Sequence, residues 1–539
     1  MRHTVYLSQA LRLQRARSNQ VRKQNTLRAK PKIAQPLVVV EQGVLAGRLD
    51  EDVAAFKNIP YAAPPTAERR WRPPGPAPQW EGQRDASTYG AICIQATPQG
   101  DPGVGPLPMS EDCLNLNVWR PADVSEPAPV MVWIHGGGLV NGSGTAALYD
   151  GAPLARKGMV VVTLNYRLGR FGFFDHPALA AERPVGEPAG NYGLMDVIAA
   201  LKWVKANIAS FGGDAGNVTI FGESAGGAIV TRMMTSPAAA GLFERAIVQS
   251  GLGRELQTPL DRRGAYDLPS ARERGEVWAH GHNLITAADL RAASTDQLLT
   301  PAPVFANGDL TLIDGEVVTE TVEAAFAAGR QAPVPYVIGT NSAEFWWMRP
   351  SDRNGYGMID DDMTWLERAV LTAAYGGQAA FDKGFITDAV FSEPARRLAQ
   401  LHARSGAPSY LFRFDVSSPD NPEPHGGATH AIERPYVFGA LSLLPYPVRN
   451  EDRAVSEAMM SYWTAFARSG DPNGVGRPEW PKAAASSPSL MLFQSQGMAA
   501  GPVPDAGRLD LIELFRERPH RTMQPVVVVP TKPQTASSN

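Results

Sequence analysis

A chain of 539 residues that is 44% hydrophobic and 19% charged has the apolar content of a folded protein and the length to bury a sizeable core without metal or disulfide staples. Lys and Arg (51) nearly balance Asp and Glu (54), so the charge gives no reason to expect a nucleic-acid partner. No apolar run approaches the ~18 residues of a transmembrane helix, which leaves a folded enzyme as the leading class.

The charge is uneven along the chain. Residues 1–32 carry nine Lys or Arg (Arg2, Arg12, Arg15, Arg17, Arg22, Lys23, Arg28, Lys30, Lys32) and no acid, and without them the formal net charge moves from -3 to -12. Residues 1–36 are therefore expected to be a disordered basic arm. They lack the apolar h-region of a secretory signal. The acidic body that follows is expected to steer cationic or neutral substrates in preference to anionic ones.

From Leu37 onward, short runs around Val38–Val40, Gly43–Gly47 and Val53–Phe56 predict antiparallel strands joined by turns. Pro60–Pro78 is too rich in proline for regular structure. Leu114–Trp119 alternates. Pro129–Ile134, Met159–Leu164, Val218–Phe221, Ala246–Gln249 and Val334–Ile338 are almost wholly apolar, as strands buried on both faces are. Helical spacing falls between them over Asn191–Ser210, Ala225–Met234, Ala395–Ala403 and Ser456–Ser469. This alternation predicts an α/β protein with a mostly parallel sheet. Residues 252–332 and 345–405 read as insertions around a single catalytic domain spanning 37–515, with a Pro/Val-rich tail at 516–539.

One G-x-S-x-G stands in the chain, Gly222-Glu223-Ser224-Ala225-Gly226, placed after a strand and opening a helix. That context lifts a serine hydroxyl onto a sharp turn at the top of a sheet, over a helix N-terminus that favours developing negative charge. His135-Gly136-Gly137-Gly138 follows an upstream strand. Backbone N–H groups of Gly137, Gly138 and Ala225 are candidates to hold an oxyanion. A serine nucleophile needs a base, and the base an orienting acid, expected in the order Ser, acid, His. Glu344, just past the strand Val334–Ile338, is favoured over Asp314, whose Asp-Gly context is an ordinary turn. Of the later histidines, His402 lies on a helix and His520 near the tail. His425 and His430 share the loop after a strand over Ser409–Val416, and spacing does not separate them.

In these residues the chain resembles the type-B carboxylesterase/lipase family, which includes para-nitrobenzyl esterases and is related to cholinesterases. The resemblance runs from about Val38 to Pro481 and also rests on Asn58-Ile59-Pro60-Tyr61-Ala62-Ala63-Pro64-Pro65, Glu111-Asp112-Cys113-Leu114-Asn115-Leu116-Asn117-Val118-Trp119 and Asn165-Tyr166-Arg167-Leu168-Gly169. Asn191-Tyr192-Gly193-Leu194 and Phe211-Gly212-Gly213-Asp214 continue it. It implies the α/β-hydrolase fold and a Ser-His-Glu triad, with Glu344 as acid. His430-Ala431-Ile432-Glu433-Arg434-Pro435-Tyr436-Val437-Phe438 matches the family's histidine segment, so His430 becomes the base. Cys93 and Cys113 fall at the family's first disulfide. Such a pair suggests an oxidising compartment, secreted or periplasmic, even though no secretory signal is recognisable. Ser250 resembles a serine that supports the triad, and a strand-end turn is its other reading. Leu139 replaces the usual aromatic after the glycines, and Ala343-Glu344-Phe345 replaces Asp-Glu-Gly. Trp346-Trp347 is placed either at the substrate entrance or in core packing.

The resemblance thus implies hydrolysis of small-molecule carboxylic esters through an acyl-enzyme, with no metal or organic cofactor and no nucleic-acid partner. The same machinery could serve amides, carbamates or lipids. A cholinesterase-like binding protein without catalysis is the reading from another class.

Overall fold

Residues 35–96, 103–104, 108–254, 257–264, 267, 269–299, 311–345, 363–421, 426–486 and 488–518 are described by a computed structural model of the chain. The apolar runs pair into one eleven-stranded sheet. In chain order its strands are β1 (Arg48–Asp50), β2 (Val53–Pro60), β3 (Asn115–Pro121), β4 (Ala128–Ile134), β5 (Val160–Leu164), β6 (Gly213–Glu223), β7 (Arg245–Gln249), β8 (Tyr336–Asn341), β9 (Ser409–Asp415), β10 (Ser489–Gln494) and β11 (Gly497–Pro502). Across the sheet they run β11-β10-β9-β8-β7-β6-β4-β5-β3-β2-β1. From β10 to β5 neighbours are parallel. β1, β2, β3 and β11 add antiparallel edges.

Because side chains alternate along a strand, each run feeds two cores. Val130, Val132 and Ile134 of β4 and Val160, Val162 and Leu164 of β5 face one side. There they meet helices α1 (Tyr192–Asn207), α2 (Ala225–Thr235) and, further along the chain, Glu393–Arg404. Met131, Trp133, Val161, Phe221, Ile247 and Phe412 face the other side and pack on Asn450–Ser469. Continuing in order, α3 is Trp365–Ala374, α4 Gln378–Ile386, α5 Glu393–Arg404, α6 Asn450–Ser469 and α7 Ala506–Glu517. The chain links α4 to α5 through a π-helical stretch, Thr387–Ser392. Phe345, Phe381, Phe385 and Phe391 join Leu509 and Ile512 of α7 in a third, smaller core.

The α/β class and the parallel sheet agree with the expectation from sequence. Helix α6 starts six residues earlier than its periodicity indicated, because Asp452 accepts the Arg449 backbone N–H and completes a cap there. β10, β11 and α7 escaped the sequence reading altogether. β10 holds only four apolar residues in a row, and α7 is fastened by charge: Arg396 of α5 pairs with Asp510 and Glu513, and Arg397 with Glu513. Cys93 and Cys113 form a buried disulfide, as the resemblance implied. Among the described residues no helix is long and apolar enough to cross a membrane.

After β4 the chain moves to one side for β5 and returns to the other for β6. The C-terminal ends of β4 and β6 therefore flank a topological switch point, where parallel sheets open a crevice.

Candidate active site

Both glycine-bearing turns lie at that crevice. β6 ends at Glu223, and Ser224 turns sharply with φ 56° and ψ -125° before α2 begins at Ala225. Its N–H donates to Gln249 O (2.8 Å) at the end of β7, which pins the turn to the neighbouring strand. Close approach makes the small residues obligatory: a Cβ on Gly226 would stand 2.0 Å from Ile134 O and 2.7 Å from His135 O. In the loop after β4, Gly137 has φ 105°, and a Cβ there would meet Asn141 at 2.2 Å. Gly137, Gly138 and Ala225 all line the cavity that Ser224 faces.

His430 Nε2 lies 2.8 Å from Ser224 Oγ, and His430 Nδ1 lies 2.5 Å from Glu344 Oε2. Glu344 is fully buried and follows β8; its second oxygen accepts the Asn341 N–H at 2.8 Å, and Thr387 Oγ1 donates to its carbonyl at 3.0 Å. The acid-bearing and histidine-bearing loops are stitched by a bridge between Ala343 and Thr429, with Ala343 N–H donating to Ala428 O at 2.8 Å. Phe345 and Phe391 pack on the imidazole with ring centroids 4.5 and 5.3 Å away. Leu139, Ser224, Ser250, Phe345 and Ala431, all at or beside the site, have positive φ. Such strained backbone persists where surrounding structure holds it, and it clusters at sites of function.

Burial alone would lower the His430 pKa, but the negative charges of Glu344 and Glu223 outweigh it and raise it. Glu223 is the residue that sequence reasoning passed over. Its Oε1 is 3.3 Å from His430 Nε2, and burial pushes its pKa up to about 7 despite the attraction of His430 and Arg434. Glu433 is likewise buried and raised, chiefly by desolvation, and is held by Asn341 Nδ2 (2.7 Å) and Gln249 Nε2 (2.9 Å). Asn341 serves both carboxylates, its backbone N–H donating to Glu344 and its side-chain amide to Glu433, and the Gln249 side chain ties Glu433 to Trp463 Nε1 at 3.1 Å.

The cavity holds about 190 Å³ and is lined further by Ala228, Ile229, Arg232, Thr311 and Arg434. A hydroxyl, an imidazole and a buried carboxylate in series, beside a glycine turn that lines the cavity, can deprotonate the hydroxyl and direct it at an electrophile there. Among the described residues no group of three or more His, Cys, Asp and Glu could hold a metal ion.

The structure brings Ser224, Glu344, His430, Gly137, Gly138 and Ala225 together. Asp314 is elsewhere: its Oδ1 accepts the N–H groups of Glu316, Val317 and Val318, the turn its Asp-Gly context indicated. His402 is packed away from the site on α5, its Nε2 donating to Val334 O at 2.8 Å and its Nδ1 accepting from Gln331 Nε2 at 3.3 Å. Ser250 is buried next to Gln249 at the end of β7. His425, His520 and Trp346-Trp347 lie outside the described residues.

Comparison with known proteins gives the family. The Carboxylesterase family matches residues 34–382 and 378–506. The chain is 34% identical to the para-nitrobenzyl esterase of Bacillus subtilis (strain 168) over 83% of its own length and 92% of the relative's. It is 35% identical to the fumonisin B1 esterase of Sphingopyxis macrogoltabida, over 85% and 86% of the two chains. A solved PNB esterase structure superposes with a TM-score of 0.75 at 31% identity, covering 89% of this chain and 99% of that one. The chain belongs to the type-B carboxylesterase family and is a carboxylic-ester hydrolase.

Proposed function

We propose that this chain hydrolyses esters through an acyl-enzyme on Ser224, with His430 as general base and acid and Glu344 as its orienting carboxylate. The observation that carries the reading is the unbroken series from Glu344 Oε2 to His430 Nδ1 (2.5 Å) and from His430 Nε2 to Ser224 Oγ (2.8 Å). Ser224 Oγ attacks the ester carbonyl as its proton passes to His430 Nε2. The N–H groups of Gly137, Gly138 and Ala225 receive the oxyanion, and losing one such donor typically lowers kcat about 10²–10³-fold. The imidazolium, steadied by Glu344, then hands its proton to the departing alcohol. Water, activated by the same imidazole, releases the acid and restores Ser224. The catalytic unit in this reading is residues 37–515.

The relatives' names, para-nitrobenzyl esterase and fumonisin B1 esterase, support small-molecule esters as first substrates. Hydrolysis of p-nitrophenyl esters from acetate to palmitate, by the wild type and Ser224→Ala in parallel, tests the reading. Activity that vanishes with Ser224 is the expected result, and the chain-length profile separates esterase from lipase. Equal behaviour of the two proteins overturns the mechanism.

A further inference from the structure

The glycine segment after β4 is held at both ends, and a side chain outside the cavity holds the far end. At the near end Tyr166 Oη donates to His135 O at 2.8 Å. From there the chain turns back on itself: Gly137 O accepts the N–H groups of Val140 (3.1 Å) and Asn141 (3.0 Å), and Leu139 O accepts the Gly169 N–H at 2.7 Å. At the far end stands Gly142, which is buried. Its N–H donates to Gln95 Oε1 at 2.8 Å, and its carbonyl accepts from Gln95 Nε2 at 2.9 Å. Among the described residues Gly142 makes no other hydrogen bond. The positions beyond it are held several times over: Ser143 N–H donates to Gly103 O, and Gly144 is bonded by Asn117, Thr163 and Asn165.

Gln95 is itself fixed. It is 2% exposed, and its Nε2 also donates at 3.0 Å to the carbonyl of Cys93, which the disulfide ties to Cys113. A primary amide donates at one end and accepts at the other, so one side chain satisfies both backbone groups of one residue. Gly142 in turn lies against the start of the glycine segment. A Cβ on it would collide with Gly136 O and the His135 ring, and a Cβ on Gly136 would stand 3.1 Å from Ser224 Cβ. Movement at Gly142 is therefore passed by direct packing to Gly136 and on to Gly137 and Gly138.

We propose that Gln95 is a positioning residue for ester hydrolysis, holding Gly142 so that the Gly137 and Gly138 N–H groups meet the oxyanion. The inference rests on Ser224 being the nucleophile and on those N–H groups being its oxyanion donors. Without Gln95 both backbone groups of Gly142 are left buried and unpaired, and the loop relieves that cost by moving toward water. An ester carbonyl in the ground state carries little charge, so the movement weakens the tetrahedral intermediate more than the bound substrate.

Gln95→Met keeps the length of the side chain and removes its three hydrogen bonds. With kcat counted per titratable serine, the variant is expected to hydrolyse p-nitrophenyl butyrate about 10- to 100-fold more slowly, the upper end being the cost of a misplacement of about 1 Å. KM should be little changed. A trifluoromethyl alkyl ketone isolates the same contact. Ser224 Oγ adds to its carbonyl carbon, the serine proton passes to His430 Nε2, and the carbonyl electron pair becomes an oxyanion. Its inhibition constant should rise by the factor by which kcat/KM falls. A variant with a lower melting temperature but wild-type kcat and ketone affinity overturns the proposal, because Gln95 then only props the fold. If Gln95→Met does not fold, hydrogen exchange at single-amide resolution on the wild-type chain decides. Coupling is reciprocal, so filling the site with the trifluoromethyl ketone should slow exchange of the Gly142 N–H; unchanged exchange overturns the proposal. Hydrolysis that is lost with Ser224→Ala but not slowed by Gln95→Met sinks this inference alone. Wild type and Ser224→Ala behaving alike sinks the acyl-enzyme reading, and this inference with it.

Discussion

Glu223 Oε1 stands 3.3 Å from His430 Nε2, the same ring nitrogen that lies 2.8 Å from Ser224 Oγ. One imidazole thus faces carboxylates on both of its nitrogens, with Glu344 at Nδ1. In the proposed mechanism His430 must be neutral to accept the serine proton, and the negative charges around it raise its pKa against the effect of burial. Activity should therefore rise with pH through a raised apparent pKa that belongs to the coupled His430–Glu223 pair. Glu223→Gln removes one of the anions, and the acid limb of kcat/KM should move to lower pH. Arg434, 3.9 Å from Glu223, pushes the limb the same way and is unchanged in the variant. A pH–rate profile on p-nitrophenyl butyrate for the two proteins checks this, and an unshifted limb refutes it.

The same carboxylate has a cost in stability that depends on pH. Burial raises the Glu223 pKa from its ordinary 4.5 to about 7. The unfolded chain therefore releases this proton first, and the group's contribution to stability is full below about pH 4.5 and lost as pH rises toward 7. The loss is on the order of 3 kcal/mol. Gln is neutral throughout and nearly isosteric, so Glu223→Gln should be more stable than wild type by a margin that grows between pH 5 and pH 8. Urea denaturation at the two pH values measures the margin, and a constant gap would falsify the account.

Glu344→Gln tests orientation separately from charge. The two carboxylate oxygens accept from different donors, Asn341 N–H and the His430 ring. A glutamine offers only one acceptor, so the imidazole is no longer held with its proton on Nδ1. The expected result is a fall in kcat of about 10⁴ with KM little changed. Ser224→Ala combined with Glu344→Gln should add almost nothing to Ser224→Ala alone, because the groups act as a unit. Additive losses would show that Glu344 acts outside the series.

The strands that position the site were legible because they are buried on both faces, and β4 and β6 read as apolar runs ending in glycine-rich turns. Glu344 was legible from its place after β8, although His430 needed the resemblance to separate it from His425. Contacts between distant segments were not legible. The Gln249–Glu433 bond spans 184 residues and Arg396–Asp510 spans 114, and no local pattern announces either. Glu223 was hidden for another reason: it sits inside the serine motif, where its neighbours explain the turn and nothing local says that its carboxylate ends beside the base.

The elbow itself can be broken with one carbon. A Cβ on Gly226 would be 2.0 Å from Ile134 O and 2.8 Å from His135 C, all backbone atoms of β4 and its loop. Neither side can yield without moving the Gly136–Gly138 segment away from Ser224. Gly226→Ala should lower kcat by at least about 10²-fold, the effect of a lost oxyanion donor, and should lower the melting temperature as well. Gly241→Ala, where a Cβ has open space but φ is 74°, serves as a control for backbone strain alone. If both variants keep wild-type kcat, close packing at the elbow is not what aligns the oxyanion donors.

Arg167 of the Asn165–Gly169 motif pairs with Asp196, two residues past the Asn191–Leu194 motif. Arg167 Nε and Nη2 each lie 2.8 Å from a different Asp196 oxygen, and the Arg167 N–H donates to the same carboxylate at 3.0 Å. The side chains are 4% and 0% exposed, so either charge left alone would be stranded away from water. Arg167→Met or Asp196→Leu should each destabilise the chain by about 3–5 kcal/mol. The double variant removes both charges, and replacing a buried pair by apolar groups is often close to neutral. It should therefore be more stable than either single variant, although the Arg167 N–H loses its acceptor. Chemical denaturation of the four proteins closes the cycle, and a double variant less stable than both singles would show that the pair holds the motifs together by more than mutual neutralisation.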